Sequence, residues 1–253
     1  MMRTRAAIGI GVALATLVAR IASAQHTTPS GGTSASLAEE PYRITAFGVF
    51  RNLLLQGDFT PKVAIGSVMS QLPSTGVGAV SGARGEITIA DGKLIISYGR
   101  SDAPPAPNSE TAAVRPPAKS KEWQSVRVDN DVAPHDVEAF LAQSAKAHGL
   151  DPEQSFPFQL RGTVAPYIMH VNAATIDGPH GMGLPMAITV ETKGDQIAGS
   201  VAGLYVSPAL VGDVTHGGQR AHAHWVASDG RSTAHLDLWG IKGGTTLMLP
   251  KPE

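Results

Sequence analysis

The sequence predicts an α+β chain with a mixed first half and a β-rich second half. Three observations carry this. From Phe156 onward almost every segment alternates apolar and polar residues with period two, the strand period. Ahead of it, Pro134–His148 holds the clearest helical stripe, in Val137, Phe140, Leu141 and Ala145, with Gly149 as a stop. Glycine is abundant at 28 residues while Phe, Trp and Tyr total 13, a composition suited to sheets joined by tight turns.

Taken in order, residues 25–40 are mostly Ser, Thr, Gly and Ala with few large apolar groups and read as a flexible lead-in. Tyr42–Val49 is a candidate first strand, and Phe50–Gln56 is ambiguous between helix and strand. Thr60-Pro61 reads as N-cap and first helical residue of a short helix through Met69, ended by Pro73–Gly78. Gly85–Gly99 is a hairpin around Asp91-Gly92. Its alternation sets Ile87 and Ile89 on one face and Glu86 and Thr88 on the other. Residues 101–120 carry five prolines without periodicity and read as a loop or linker. Glu122–Val128 resumes the sheet. Further strands are expected at 157–164, 166–173, 186–193, 197–206, 220–227, 232–239 and 244–249, with turns at Gly194-Asp195 and Gly243-Gly244.

Met1–Arg5 is basic, Ala6–Ala19 is an apolar run of 14 residues, and Ala22-Ser-Ala24 is a small-residue cleavage pattern. Residues 1–24 thus read as a signal peptide, and the mature chain is expected in the periplasm or outside the cell. The run is short of the ~20 residues a membrane span needs, and Arg20 interrupts it. Cleavage removes three arginines and no acid, moving the net charge from −1 to −4. Nothing in that balance points to nucleic acid, and no later segment is long and apolar enough to span a membrane. With no cysteine, disulfides, thiolate metal sites and Cys nucleophiles are excluded. Any metal must be held by His and carboxylate.

Arg220–Leu238 is where such a metal would sit. It reads as two strands joined by Asp229-Gly230, a strong hairpin signal. A two-residue loop pairing Ser228 with Arg231 sets His224 opposite His235 and His222 opposite Asp237. Alternation then puts all four on one face, with opposed Cβ atoms about 4.5–5.5 Å apart. Three imidazoles with an open fourth position suit a catalytic metal. The plain alternative is a solvated, His-rich face. Asp237 is a candidate acceptor for a ring N–H of a ligand, or else an ordinary strand carboxylate. His216 and His180 lie in glycine-rich loops and read as loop residues. Gly76 and Gly78 do not lead from a strand into a long helix, so they do not mark a nucleotide fold. The Gly-x-Ser-x-Gly element of α/β-hydrolases is missing from the sequence.

This hairpin resembles the metal-binding hairpin of bacterial α-acetolactate decarboxylases. There a Gly-aromatic-His-x-His-aromatic strand is followed, after a turn, by Gly-His and an aliphatic-Asp-aliphatic tail, with the same spacing between second and third His. Three further stretches are similar in the same order. Thr75–Val80 with Gly85–Gly92 resembles the family's Phe-Gly-x-Gly-Thr-Phe…Asp-Gly-Glu…x-Asp-Gly block. Phe158–Gly162 resembles the strand before its active-site segment, and Gly199–Pro208 its Gly-Thr-x-x-Gly-Phe-x-x-Pro strand. The likeness spans roughly residues 44–250.

The resemblance implies one decarboxylase-like domain over 41–253. A mixed-sheet half at 41–130 would pack on a β-rich, barrel-like, metal-binding half at 131–253. It implies a carbon–carbon lyase converting 2-acetolactate, or a similar 2-hydroxy-3-oxo acid, to acetoin and CO2 through a zinc-stabilised enediolate. It makes His222, His224 and His235 the ligands of Zn2+ (or another divalent metal) and Glu86 an active-site acid. Without it, Glu86 reads rather as an exposed hairpin charge. The family's catalytic arginine falls, counted without gaps, on His170, with Arg161 nearby in another register; both are candidate catalytic residues. His170 could ligate, act as an acid, anchor a carboxylate, or be a hydrogen-bonded strand residue. The family's glycine before the third His is Ala234 here, and its acidic residue on a C-terminal extension has no assignable match in Pro250–Glu253. The expected partner is a small-molecule substrate, with a homodimer as the candidate assembly. Two other readings stay open: the same fold and metal serving another small oxo- or hydroxy-acid or a hydrolysis, and an exported metal- or ligand-binding protein without catalysis.

Overall fold

The computed structural model describes residues 46–69, 75–100, 111–114, 122–177, 185–215 and 217–252. The expected signal peptide and lead-in lie outside them, as do His180, His216 and Glu253. The described elements are three α-helices, two single-turn 3-10 helices and twelve strands in two antiparallel sheets, the α+β organisation expected. Among the described residues no helix is long and apolar enough to cross a membrane.

The first sheet contains β1 (Val63–Ala64), β2 (Thr75–Val80), β3 (Gly85–Ala90), β4 (Lys93–Tyr98) and β5 (Thr111–Val114), in the order β1-β5-β2-β3-β4. The hairpin β3–β4 forms as expected. Asp91 (φ 50) and Gly92 (φ 74) both take the left-handed conformation a two-residue turn requires. Two expectations fail around it and one open reading is decided. Ala46–Val49 of the first expected strand is not strand, and residues 42–45 lie outside the described part. Phe50–Gln56 resolves as helix α1. Thr60-Pro61 opens no helix: Val63–Ala64 pairs with β5 instead, and helix α2 (Ile65–Met69) begins only afterwards. The proline-rich segment likewise contributes β5 to the sheet.

The second sheet contains β6 (Trp123–Arg127), β7 (Phe156–Asp177), β8 (Pro185–Gly194), β9 (Ile197–Tyr205), β10 (Ala221–Val226), β11 (Thr233–Ile241) and β12 (Thr246–Pro250). The two strands expected at 157–173 are one strand of 22 residues, β7. Its first part pairs with β9 and β12 and its second with β11 and β8. The circuit β7–β9–β10–β11–β7 is therefore continuous, and this half is barrel-like. Gly162 allows the crossing at φ 152, where a Cβ would stand 2.6 Å from Thr245 Oγ1.

Helix α3 (Val137–Ala147) buries Val137, Leu141 and Ala145. It ends at Gly149 (φ 85), with Leu150 N–H donating to Ala145 O and Gly149 N–H to Lys146 O, the paired bonds that satisfy a helix C-terminus. Its stripe packs on Phe156, Phe158, Leu160, Trp239, Ile241, Leu247 and Leu249 in the main core.

Alternation sorts the second sheet into two faces. Phe158, Met169, Val201, Ala223, Ala234 and Leu236 turn to the main core. Their strand neighbours Gln159, His170, Ala202, His222, His224 and His235 turn the opposite way. The first sheet covers that second face. Thr75 accepts from Gln159 Nε2 at 3.2 Å, and Val77 packs with Leu204. The other face of the first sheet has its own small core in Ile65, Val80 and Ile87. The histidine face is thus an interior between two sheets.

Candidate metal centre

The ladder between β10 and β11 pairs His224 with His235, the expected register. The turn differs from expectation. Ala227 N–H donates to Ser232 O and Gly230 N–H to Ala227 O, and Gly230 alone of the Asp-Gly pair has positive φ. Asp229 Oδ1 accepts from Arg231 N–H instead. A longer loop built on that turn keeps the register because it adds one residue on each side. Beyond His235 the strand turns to β7. His235 lies opposite His170, and the irregularity between Leu236 and Leu238 takes Asp237 out of the ladder. The expected His222–Asp237 pairing is therefore not made. His224, His235 and His170 form one row across three strands.

His222, His224 and His235 are 5%, 0% and 5% exposed, and one ligand nitrogen from each lies within 4.8 Å of the others. Two of the rings are oriented by hydrogen bonds at Nδ1. His222 Nδ1–H donates to Val214 O at 2.9 Å, which leaves Nε2 as the basic nitrogen of the neutral ring. His224 Nδ1 meets Thr88 Oγ1 at 2.9 Å. The start of β10 is itself held by α3, since Glu138 Oε1 accepts from Arg220 N–H at 2.7 Å and Ala221 N–H at 3.0 Å. Three buried imidazoles, two of them oriented through Nδ1, are a donor set that suits zinc or a similar divalent ion.

Glu86 enters from β3 on the facing sheet and is 2% exposed. Its Oε1 accepts from Asn172 N–H at 3.1 Å and from Asn172 Nδ2 at 2.5 Å. Oε2 lies 3.8 Å from His224 Nε2, and Oε1 3.8 Å from His170 Nε2. Burial pushes the carboxyl up to about 8, against the opposing pull of His170 and the Asn172 bonds. The site thus favours the protonated form of this carboxyl. Because Oε1 is held as an acceptor, that proton belongs on Oε2, the oxygen facing His224.

His170 Nδ1 pairs with Asp237 Oδ2 at 2.7 Å, and its ring centroid is 4.9 Å from that of His235. Burial alone would lower the imidazole. The Asp237 hydrogen bond and the charges of Glu86 and Asp237 outweigh it, and the pKa is raised. Asp237 therefore serves His170, not His222.

The fold thus brings Glu86, His170 and the three histidines together. Arg161 is not brought in; it is exposed and pairs with Asp91 Oδ2 at 3.1 Å, at the tip of the β3–β4 hairpin. Asn172, Thr88 and Thr233 were not foreseen. Asn172 had a signal, since it lies two residues beyond His170 and so on the same face.

The molecule has the α-acetolactate decarboxylase fold. The α-acetolactate decarboxylase of Bacillus subtilis strain 168 aligns with a TM-score of 0.62 and 14% identity, over 81% of this chain and 84% of that one. A Staphylococcus aureus protein of unknown function, described as similar to alpha-acetolactate decarboxylase, gives 0.61 and 15% over the same shares. The enzyme of Bacillus subtilis subspecies spizizenii gives 0.60 and 13%. No family model matches the sequence, and no curated protein does. Identities this low establish the fold, so the chemistry must be argued from the site.

Proposed function

We propose that the protein is an exported, metal-dependent carboxy-lyase that converts 2-acetolactate, or a similar 2-hydroxy-3-oxo acid, to a hydroxyketone such as acetoin and CO2. The observation that carries the reading is a buried Glu86, its carboxyl pushed up to about 8 by burial, set 3.8 Å from a nitrogen of a three-histidine cluster. His222, His224 and His235 would hold the ion, zinc in this reading. Bound there, it supplies Lewis-acid stabilisation of the negative charge that moves onto the ketone oxygen as CO2 leaves.

The chain's own groups do the rest. His170, whose cationic form Asp237 favours, anchors the substrate carboxylate. Loss of CO2 removes that anchor's partner and favours release. Glu86 gives its Oε2 proton to the carbon that carried the carboxylate. Asn172 holds the conjugate base through two N–H donors until it is reprotonated. The two stacked sheets exclude bulk water.

Acetoin formation from racemic acetolactate, measured with zinc and with chelator, tests the reading. Turnover that chelation abolishes is expected, and a zinc-loaded protein without turnover would overturn it. One observation favours a second reading, the same centre acting on another small oxo- or hydroxy-acid. An imidazole stands where the resemblance places a guanidinium, and it offers a carboxylate no two-pronged contact. A screen of such acids separates the two.

A further inference from the structure

His224 is held from the facing sheet, and the direction of that hold can be deduced bond by bond. Thr233 Oγ1 lies 2.8 Å from Trp225 O. A carbonyl only accepts, so the Thr233 hydroxyl gives its single proton there. Thr88 Oγ1 lies 2.5 Å from Thr233 Oγ1, and with the Thr233 proton already committed, Thr88 is the donor. The Thr88 oxygen can then meet His224 Nδ1, 2.9 Å away, only as an acceptor. The ring must carry its proton on Nδ1 and its lone pair on Nε2.

We propose that Thr88 and Thr233 are positioning residues: a two-hydroxyl relay that sets His224 as an Nε2 metal ligand and ties metal affinity to the docking of one sheet on the other. The relay residues are 0% and 1% exposed and His224 is 0% exposed, so water has no access to substitute for a missing hydroxyl. Thr88 comes from β3, while His224 and Thr233 belong to the metal hairpin. A second bond reinforces the joint, because Thr233 N–H donates to Ser97 Oγ on β4 at 2.7 Å. His222 differs, since its Nδ1 partner Val214 O lies in the segment leading to its own strand. The inference rests on the three histidines binding a metal but not on the decarboxylation.

The test is zinc affinity, measured by competition with a chromophoric chelator, on the wild type and four variants. Thr88→Val keeps the shape and deletes the acceptor, so zinc binding should weaken about 10–100-fold. Thr88→Ser should restore it to within a few-fold. Thr233→Val discriminates more sharply. It leaves the Thr88–His224 contact in place but frees the Thr88 proton to turn toward Nδ1, so it should weaken zinc binding as well, and Thr233→Ser should rescue it. In the 15N-histidine spectrum of the zinc form, a slowly exchanging His224 Hδ1 should appear in the wild type and both serine variants. A purely space-filling role for the threonines would move neither the rescue pattern nor this proton. Folded Thr88→Val and Thr233→Val proteins with wild-type zinc affinity would overturn the relay, as would a His224 proton found on Nε2. Should Thr88→Val not fold, Thr233→Val decides alone. A wild type that binds no zinc would defeat the metal reading itself and the relay with it, an outcome distinct from zinc binding that the valines leave unchanged.

Discussion

Glu86 concentrates the conflict between stability and chemistry at a single residue. A carboxyl buried beside three imidazoles and raised to about 8 favours its acid form, a proton donor, and the same burial makes its ionised form costly. Glu86→Gln keeps an acceptor for Asn172 but removes the transferable proton. It should lower kcat for decarboxylation by at least about 100-fold while zinc content stays stoichiometric. The wild-type rate should fall as rising pH ionises Glu86, where the acid form is lost. Stability should follow the same group. Its folded pKa lies above its unfolded value, so the folded state holds more protons between pH 4.5 and about 8, and stability declines across that window. In chelator, the stability of Glu86→Gln relative to wild type should therefore rise between pH 4.5 and 8.5, by on the order of 4 kcal/mol. Denaturant titrations of both proteins at pH 4.5 and 8.5 check the sign; an equal difference at the two pH values would contradict it.

At the scale of the element, β7 and β9 carry a strict packing demand. Gly203 of β9 lies directly under Phe158 of β7, and a Cβ there would stand 2.3 Å from Phe158 Cζ. Phe158 is fully buried and stacks on Trp239 with centroids 6.2 Å apart, so it has little room to yield. Gly203→Ala should cost about 1–3 kcal/mol, read as a lower thermal midpoint with unchanged zinc stoichiometry. The elements also explain what could be read beforehand. The His224–His235 register was legible because alternation and an Asp-Gly signal act over a dozen residues, and it survived a turn of another type. The place of His170 in the same row was not, because it depends on β7 meeting β11 more than 60 residues away. Alternation likewise put Glu86 and Thr88 on one face but could not say that a second sheet covers it. Thr60-Pro61 misled for a related reason. The side chains of Thr60 and Lys62 bond to Asp58, and the following residues gain a partner strand in β5, which outweighs a weak local helix signal.

For the whole molecule, the centre lies where the two sheets meet, and each contributes. The second sheet supplies the three histidines, His170 and Asn172; the first supplies Glu86 and Thr88. The unfolded chain cannot hold these groups together, so an ion that binds the folded form alone stabilises it by mass action. That linkage amounts to about 4 kcal/mol when free ion exceeds Kd a thousandfold. Zinc should therefore raise the thermal midpoint by several degrees over the same protein in chelator, and the rise should grow with zinc concentration. His222→Ala and His235→Ala each remove one of three ligands and should lose both the bound zinc and the rise, while their midpoints in chelator move much less. Calorimetry at several zinc concentrations, paired with metal analysis, checks this. Ligand variants that keep stoichiometric zinc and the full rise would mean that the ion sits elsewhere. If zinc holds the sheets together, the same series should also slow hydrogen exchange at Thr233 N–H, whose partner Ser97 Oγ lies on the opposite sheet. Protection at that amide that is unchanged by zinc would limit the stabilisation to the hairpin and break the link between the ion and the packing of the two halves.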